Sequence, residues 1–259
     1  MATYDYKTEL ALGNIPRTSM FSKWGLNADV DAAEDIWDGG GLYTGFNTIL
    51  GAGNSEKMEI FSSDAADAAA GTGARTVTIY NLLDDDGNLL DPVTVTLNGT
   101  TPVELDATQT YSRASRVVVR TAGSGGANAG TLTLRHVTTT DNIFAVVPIG
   151  YNQSQIACYT VPKDHKLLIN KIYCSANLSG GGAQNVNAGL LVRPLGEVFQ
   201  VKLPIQISAN KDFVPIGEGY FYTLDELSDV KIRVLAVSNA NTYVSGAFGG
   251  ELIKINSNS

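Results

Sequence analysis

Apolar and polar residues alternate with a period of two over much of this chain, most clearly between Gly71 and Thr138. Arg75-Thr-Val-Thr-Ile-Tyr80, Val93-Thr-Val-Thr-Leu97, Arg116-Val-Val-Val-Arg120 and Thr131-Leu-Thr-Leu-Arg-His136 each read as a strand with one buried face. Asp84-Asp-Asp-Gly-Asn88 and Asn98-Gly-Thr-Thr-Pro102 punctuate them with residues that tolerate positive φ, the chemistry of tight hairpin turns. The Gly-rich segment Gly123–Gly130 lacks the Gly-Lys-Ser/Thr of a phosphate-binding loop, so it reads as a hairpin connection.

A second run of candidate strands begins near Ile143: Ile143–Pro148, Gln155–Val161, Lys166–Ala176, Asn187–Val192, Glu197–Leu203, Asp212–Ile216, Tyr220–Leu224, Asp229–Ser238 and Ala247–Ile255. Gly180–Gly182 and Val214–Gly219 separate them as turns. Many short strands with frequent turn signals predict an all-β fold of two β-sandwich or jelly-roll-like domains. The change of pattern at Thr139–Asn142 suggests the boundary between them. The expected organisation is an extended arm over 1–55, a sandwich over 56–140 and a second sandwich or jelly roll over 141–259.

The arm is predicted because Gly25–Gly45 sustains neither a strand nor a helix period. It nevertheless carries Trp24, Trp37, Tyr43 and Phe46, aromatics that need something to pack on. Two readings stand side by side: an arm that binds a partner through these four residues, and a loop that covers the chain's own sheet. Ser62–Gly73 is either a short capped helix or a loop of small residues.

Composition narrows the function. Charged residues make up only 17% of the 259 and the formal net charge is −8, with 18 Lys plus Arg and no basic run. Nucleic acid is therefore not the expected partner, because phosphate contacts need clustered cations. No apolar segment approaches the roughly 20 residues that cross a bilayer, so no membrane partner is expected. The N-terminal residues show neither a basic nor an apolar signal region, which predicts synthesis in a cytoplasm. Cys158 and Cys174 fall on what read as consecutive strands, out of register with each other, and are expected to be buried thiols.

Candidate chemistry is sparse. The two histidines, His136 and His165, have no Gly-x-Ser-x-Gly elbow to serve and read as structural. Asp84–Asn88 lacks the alternating ligands and closing Glu of a calcium loop. The acidic cluster Asp29, Asp31, Glu34, Asp35 and Asp38 has no metal-ligand spacing. No catalytic residue, metal or cofactor is expected, and the chain is not expected to be an enzyme.

Several motifs in order resemble a family of tailed-bacteriophage virion structural proteins, of the capsid decoration (cement) or head-fibre type. They are Glu34-Asp-Ile-Trp-Asp-Gly-Gly-Gly-Leu-Tyr-Thr-Gly45, Ala70-Gly-Thr-Gly-Ala-Arg-Thr-Val-Thr-Ile-Tyr80, Val95-Thr-Leu-Asn-Gly-Thr-Thr-Pro-Val103 and Thr121-Ala-Gly-Ser-Gly-Gly-Ala-Asn-Ala-Gly-Thr131. Tyr159-Thr-Val-Pro162 and Val192–Phe199 are similar to the family's second half. The resemblance implies a virion component made in the host cytoplasm. Its expected partner is the major capsid protein, with self-association as a homotrimer. The alternative is a tail component that recognises host glycans through Gly180–Asn187, Asn239–Tyr243 and the tyrosines Tyr151 and Tyr243.

Overall fold

The computed structural model describes residues 5–178, 185–208 and 222–255. Its elements in chain order are α1 (Tyr6–Ala11), β1 (Thr18–Val30), β2 (Met58–Ser62), β3 (Ala74–Tyr80), β4 (Val93–Thr96), β5 (Val103–Glu104), β6 (Arg116–Ala122), β7 (Leu132–His136) and β8 (Ile143–Val147). They continue with β9 (Cys158–Thr160), β10 (His165–Leu178), β11 (Val186–Arg193), β12 (Gln200–Ile207), β13 (Tyr222–Leu224), β14 (Asp229–Val237) and β15 (Thr242–Lys254). The chain is all-β, with every strand pair antiparallel.

Two four-stranded sheets, ordered β1-β15-β10-β13 and β12-β11-β14-β9, face each other across one core. Numbering only these eight strands gives the orders 1-8-3-6 and 5-4-7-2, the connectivity of a jelly roll. Leu167, Ile169, Val244 and Phe248 meet Leu190, Val192, Val230 and Ile232 in the middle. Everything from residue 31 to residue 157 is inserted between the first and second of these strands.

The insertion is a second sandwich. A sheet ordered β5-β2-β7-β8 packs on a three-stranded sheet ordered β4-β3-β6. Met58, Ile60, Leu132 and Leu134 project from the first onto Val77, Ile79 and Val117 of the second. The alternation legible in the sequence is realised here: β2 and β7 both bury every other side chain.

The observed organisation departs from the arm-plus-two-domains scheme in several places. Residues 18–30 are not an irregular arm but a strand, paired with β15 from Thr18↔Ile253 to Val30↔Thr242. The loss of alternation has a physical cause: beyond Lys23, β1 is covered on more than one side, so polar spacing disappears. Gly25 is required there, since a Cβ would lie 2.3 Å from both Ala157 N and Ile36 O. Thr139–Asn142 is not a boundary but the turn of the β7–β8 hairpin. β8 belongs to the inserted sandwich, and the chain re-enters the jelly roll only at β9.

Connections also differ. Gly123–Gly130 does not close a hairpin; it carries the chain from the β6 sheet to the β7 sheet. Ser62–Gly73 is a loop, held by the buried carboxylate of Asp67, which accepts from Ser62 Oγ and Ala74 N at 2.6 Å and from Ala129 N and Gly130 N at 2.8 Å. Asp84–Asn88 is a turn in which Asp84 accepts from the backbone and side-chain amides of Asn88. The residues read as turns at Gly180–Gly182 and Val214–Gly219, and the strand at Asp212–Ile216, lie outside the described residues.

Candidate interaction site beside the first strand

The four aromatics expected to meet a partner separate into two groups. Trp37, Tyr43 and Phe46 are buried, at 3%, 4% and 5% exposure, in the core of the inserted sandwich. They form an edge-to-face trio, with Trp37–Tyr43 centroids 5.1 Å apart and Tyr43–Phe46 centroids 4.9 Å apart. The Tyr43 hydroxyl sits between the carbonyls of Ala114 (3.1 Å) and Phe144 (3.0 Å). These three rings pack on their own chain and offer nothing to a partner. Trp24 is different, since 37% of it remains exposed.

Trp24 stands on β1 opposite Ala247, which is in turn opposite Tyr173 of β10, so the two aromatics flank a small residue on the same sheet face. On its other side Trp24 meets the inserted sandwich. The Arg116 guanidinium lies 5.5 Å from the Trp24 ring and 5.8 Å from Tyr80, and Arg120 lies 5.4 Å from Tyr80. The result is a Trp–Arg–Tyr–Arg ladder in which each cation faces an aromatic ring. Arg116 donates to Gln153 Oε1 at 3.3 Å, while its Nε has no partner among the described residues.

β1 is the outermost strand of its sheet. Among the described residues no strand pairs with its free edge over residues 19–24. That edge borders a groove of about 200 Å³ lined by Met20, Trp24, Asn81, Arg116, Ser154 and Tyr159. Met20, 61% exposed, stands at its rim. Lys23 forms part of the lining, its Nζ donating to Ser115 O at 2.5 Å. Burial drives its amine down to about 7, so near neutrality it is half uncharged. An exposed strand edge beside a groove of mixed polar and apolar lining can accept an extended peptide segment by strand addition.

The two sandwiches are joined by buried charges rather than by a flexible linker. Arg113 of the insertion uses all its donors: Nε toward Thr160 and Asp229, Nη1 toward Thr48 Oγ1 and Ser112 O, Nη2 toward Thr48 O and Asp229. Asp229 also accepts from Thr160 Oγ1 at 2.5 Å and from Arg193. Beside it Lys231 Nζ donates to Asp35 Oδ2 at 2.8 Å, and Tyr43 N donates to the same oxygen. Asp35 belongs to the sequence's acidic cluster, yet it is spent on this internal pairing.

A third feature gathers residues singled out in the glycan reading. Tyr151 and Tyr243, 48% and 39% exposed, stand close enough to act on each other, as Asp38 does on Tyr243. Asp38 accepts from Gln155 N at 2.5 Å, and burial pushes its carboxyl up to about 7. Of the loops named with these tyrosines, Asn239–Tyr243 is described, while most of Gly180–Asn187 lies outside the described residues.

Of the remaining candidates, Cys158, Cys174 and His136 lie in the core and His165 stands at a turn. Cys158 and Cys174 are free and buried; β9 and β10 lie in different sheets, so they do not form the hairpin their order suggested. Burial raises both thiols, Cys174 to about 12. His136 is buried against Phe144 with Nε2 2.9 Å from Tyr111 O, and burial lowers its pKa. His165 Nδ1 is 2.8 Å from Lys163 O at the start of β10. Among the described residues no group of three or more His, Cys, Asp or Glu is placed to hold a metal ion, and no helix is long and apolar enough to cross a membrane.

No family model matches the sequence, and neither a curated protein nor a solved structure matches it.

Proposed function

We propose that this chain is a non-enzymatic structural protein of a tailed-bacteriophage virion, a decoration protein that binds the outer surface of the major capsid lattice and stabilises the head. The observation that carries the reading is the free edge of β1 with its Met20–Trp24–Arg116 groove. It supplies a place where a segment of the shell protein can add as a strand. The rigid union of two sandwiches through Arg113, Asp229, Lys231 and Asp35 suits a protein that transmits load between neighbouring subunits. The displaced pKa values of Lys23, Asp38, Tyr159 and both cysteines each arise first from burial, as they do for groups enclosed by a core. Assembly as a homotrimer belongs to the same proposal and rests on analogy with proteins at three-fold lattice positions.

Copy number in purified virions, counted by quantitative mass spectrometry, tests the reading. Hundreds of copies per particle are expected of a decoration protein. A few copies, or none, would overturn it. The exposed rings of Tyr151 and Tyr243 favour a second reading, a tail component that stacks host sugars on them. It predicts a low copy number and binding to host surface polysaccharide that Tyr243→Ala removes.

A further inference from the structure

Arg193 ends β11, where the insertion meets the jelly roll, and is held more firmly than a surface arginine needs to be. Its Nε and Nη2 donate to Asp229 Oδ2 at 3.0 and 2.5 Å, and Nη2 also donates to Phe46 O at 3.0 Å. Its guanidinium lies 4.6 Å from the Phe199 ring and 5.7 Å from Phe46. One end of the fork is thus locked by a carboxylate, a carbonyl and two rings. The other end, Nη1, makes no hydrogen bond among the described residues, and the side chain is 20% exposed.

Arg193 lines a pocket of about 100 Å³ whose walls are apolar: Ile49, Leu50, Pro194, Leu195 and Leu227. Ile49 and Leu195 are 55% and 50% exposed, so the walls are open to an incoming group. On the lining Arg113 and Arg193 are matched in number by Asp229 and Glu197, with Glu197 at an exposed position. Asp229 is answered by two arginines, Arg113 and Arg193, which leaves the buried cluster with one positive charge in excess. The opposing charge on the lining is Glu197, which accepts from Gln200 at 3.4 Å.

We propose that this pocket binds a carboxylate carried on a short apolar stem, with Arg193 Nη1 donating to the carboxylate and Ile49, Leu195 and Leu227 covering the stem. A preorganised arginine loses little freedom on binding, and Nη1 keeps its N–H groups for a charge-assisted hydrogen bond to a carboxylate. The shared chemistry has two sources, a free short-chain acid and a glutamate side chain on a partner protein. The inference is independent of the capsid reading, because it concerns the isolated chain.

The test is titration of the full-length protein, followed by NMR, with butyrate and hexanoate, and with hexanol and hexylamine as controls. The acids are expected to shift the methyl signals of Ile49 and Leu195 and the Nε signal of Arg193, hexanoate more tightly than butyrate. Arg193→Lys is expected to weaken hexanoate by roughly tenfold. Leu195→Asp, on the exposed wall, is expected to abolish binding with the melting temperature unchanged, which keeps the test open if the arginine variant fails to fold. A capped peptide with one internal glutamate, compared with its glutamine counterpart, separates the sources: discrimination between them marks a partner's side chain, and binding of the free acids alone marks a small molecule. Equal binding of hexanol and hexanoate, no binding at about 50 mM acid, or unchanged binding in Leu195→Asp would overturn the proposal.

Discussion

Arg113 and Asp229, 116 residues apart in sequence, meet through two hydrogen bonds of 3.3 Å with side chains only 4% and 5% exposed. One comes from the inserted sandwich and the other from the jelly roll, so their pairing couples the stability of the two units. Removing one partner of a buried pair strands the other charge, which costs about 3–5 kcal/mol. Asp229→Ala and Arg113→Ala are each expected to destabilise the whole chain by that amount in denaturant unfolding. The double variant is expected to fall short of the sum by more than about 1 kcal/mol, because both single changes break one network.

The groove beside β1 can be tested without disturbing the core. Met20 is 61% exposed, so Met20→Asp is expected to shift stability by less than about 0.5 kcal/mol. In co-sedimentation with capsids lacking the protein, Met20→Asp and Trp24→Ala are each expected to bind less than the parent. Retention of full binding in both would remove the groove from the interface. Deleting residues 1–50 is a poor substitute, since it would strip β1 from β15.

Asp38 sets a pH dependence of definite sign. Its folded carboxyl titrates at about 7 against an ordinary value of 3.8, so between those values the native state holds a proton that the unfolded state has lost. Stability from this group is therefore present below pH 4 and falls as pH rises to 7. Asp38→Asn is expected to match the parent near pH 3.5 and to exceed it by about 1–2 kcal/mol above pH 7. Thermal melts across that range check the slope.

Lys23 acts in the opposite sense over a higher window. Its amine is pushed from 10.5 to about 7, so between these values the unfolded chain binds a proton that the native state does not. Parent stability is expected to climb from pH 7 to pH 10 by an amount on the order of 3 kcal/mol. Lys23→Met, which has no charge to bury, is expected to lack the climb. A parallel climb in both proteins would show that Lys23 is not its source.

Much of the β character was legible because a strand with one wet face writes its geometry into adjacent residues. Leu132-Thr-Leu-Arg-His136 alternates in sequence and in burial alike. Cys158 and Cys174 were legible as buried thiols from their apolar strand contexts. Trp24, Trp37, Tyr43 and Phe46 looked equivalent, and the chain treats them differently. An irregular Gly-rich segment does not reveal whether its aromatics turn inward, since that depends on Ala114, Phe144 and Phe199, far along the chain. Arg193 could have been noticed as a cation just before the Pro-Leu-Gly turn, but nothing local pointed to Phe46 or Asp229 as its holders.

Local alternation and turn residues were enough to specify an all-β chain, because each is a property of neighbours in sequence. Which strands pair, that one sandwich is inserted between the first and second strands of the other, and which charges meet at their seam were decided only by the folded chain. Thr18 finds Ile253 and Arg113 finds Asp229 across more than a hundred residues. Such contacts depend on what covers each strand's second face and free edge, and the period of two carries no record of it.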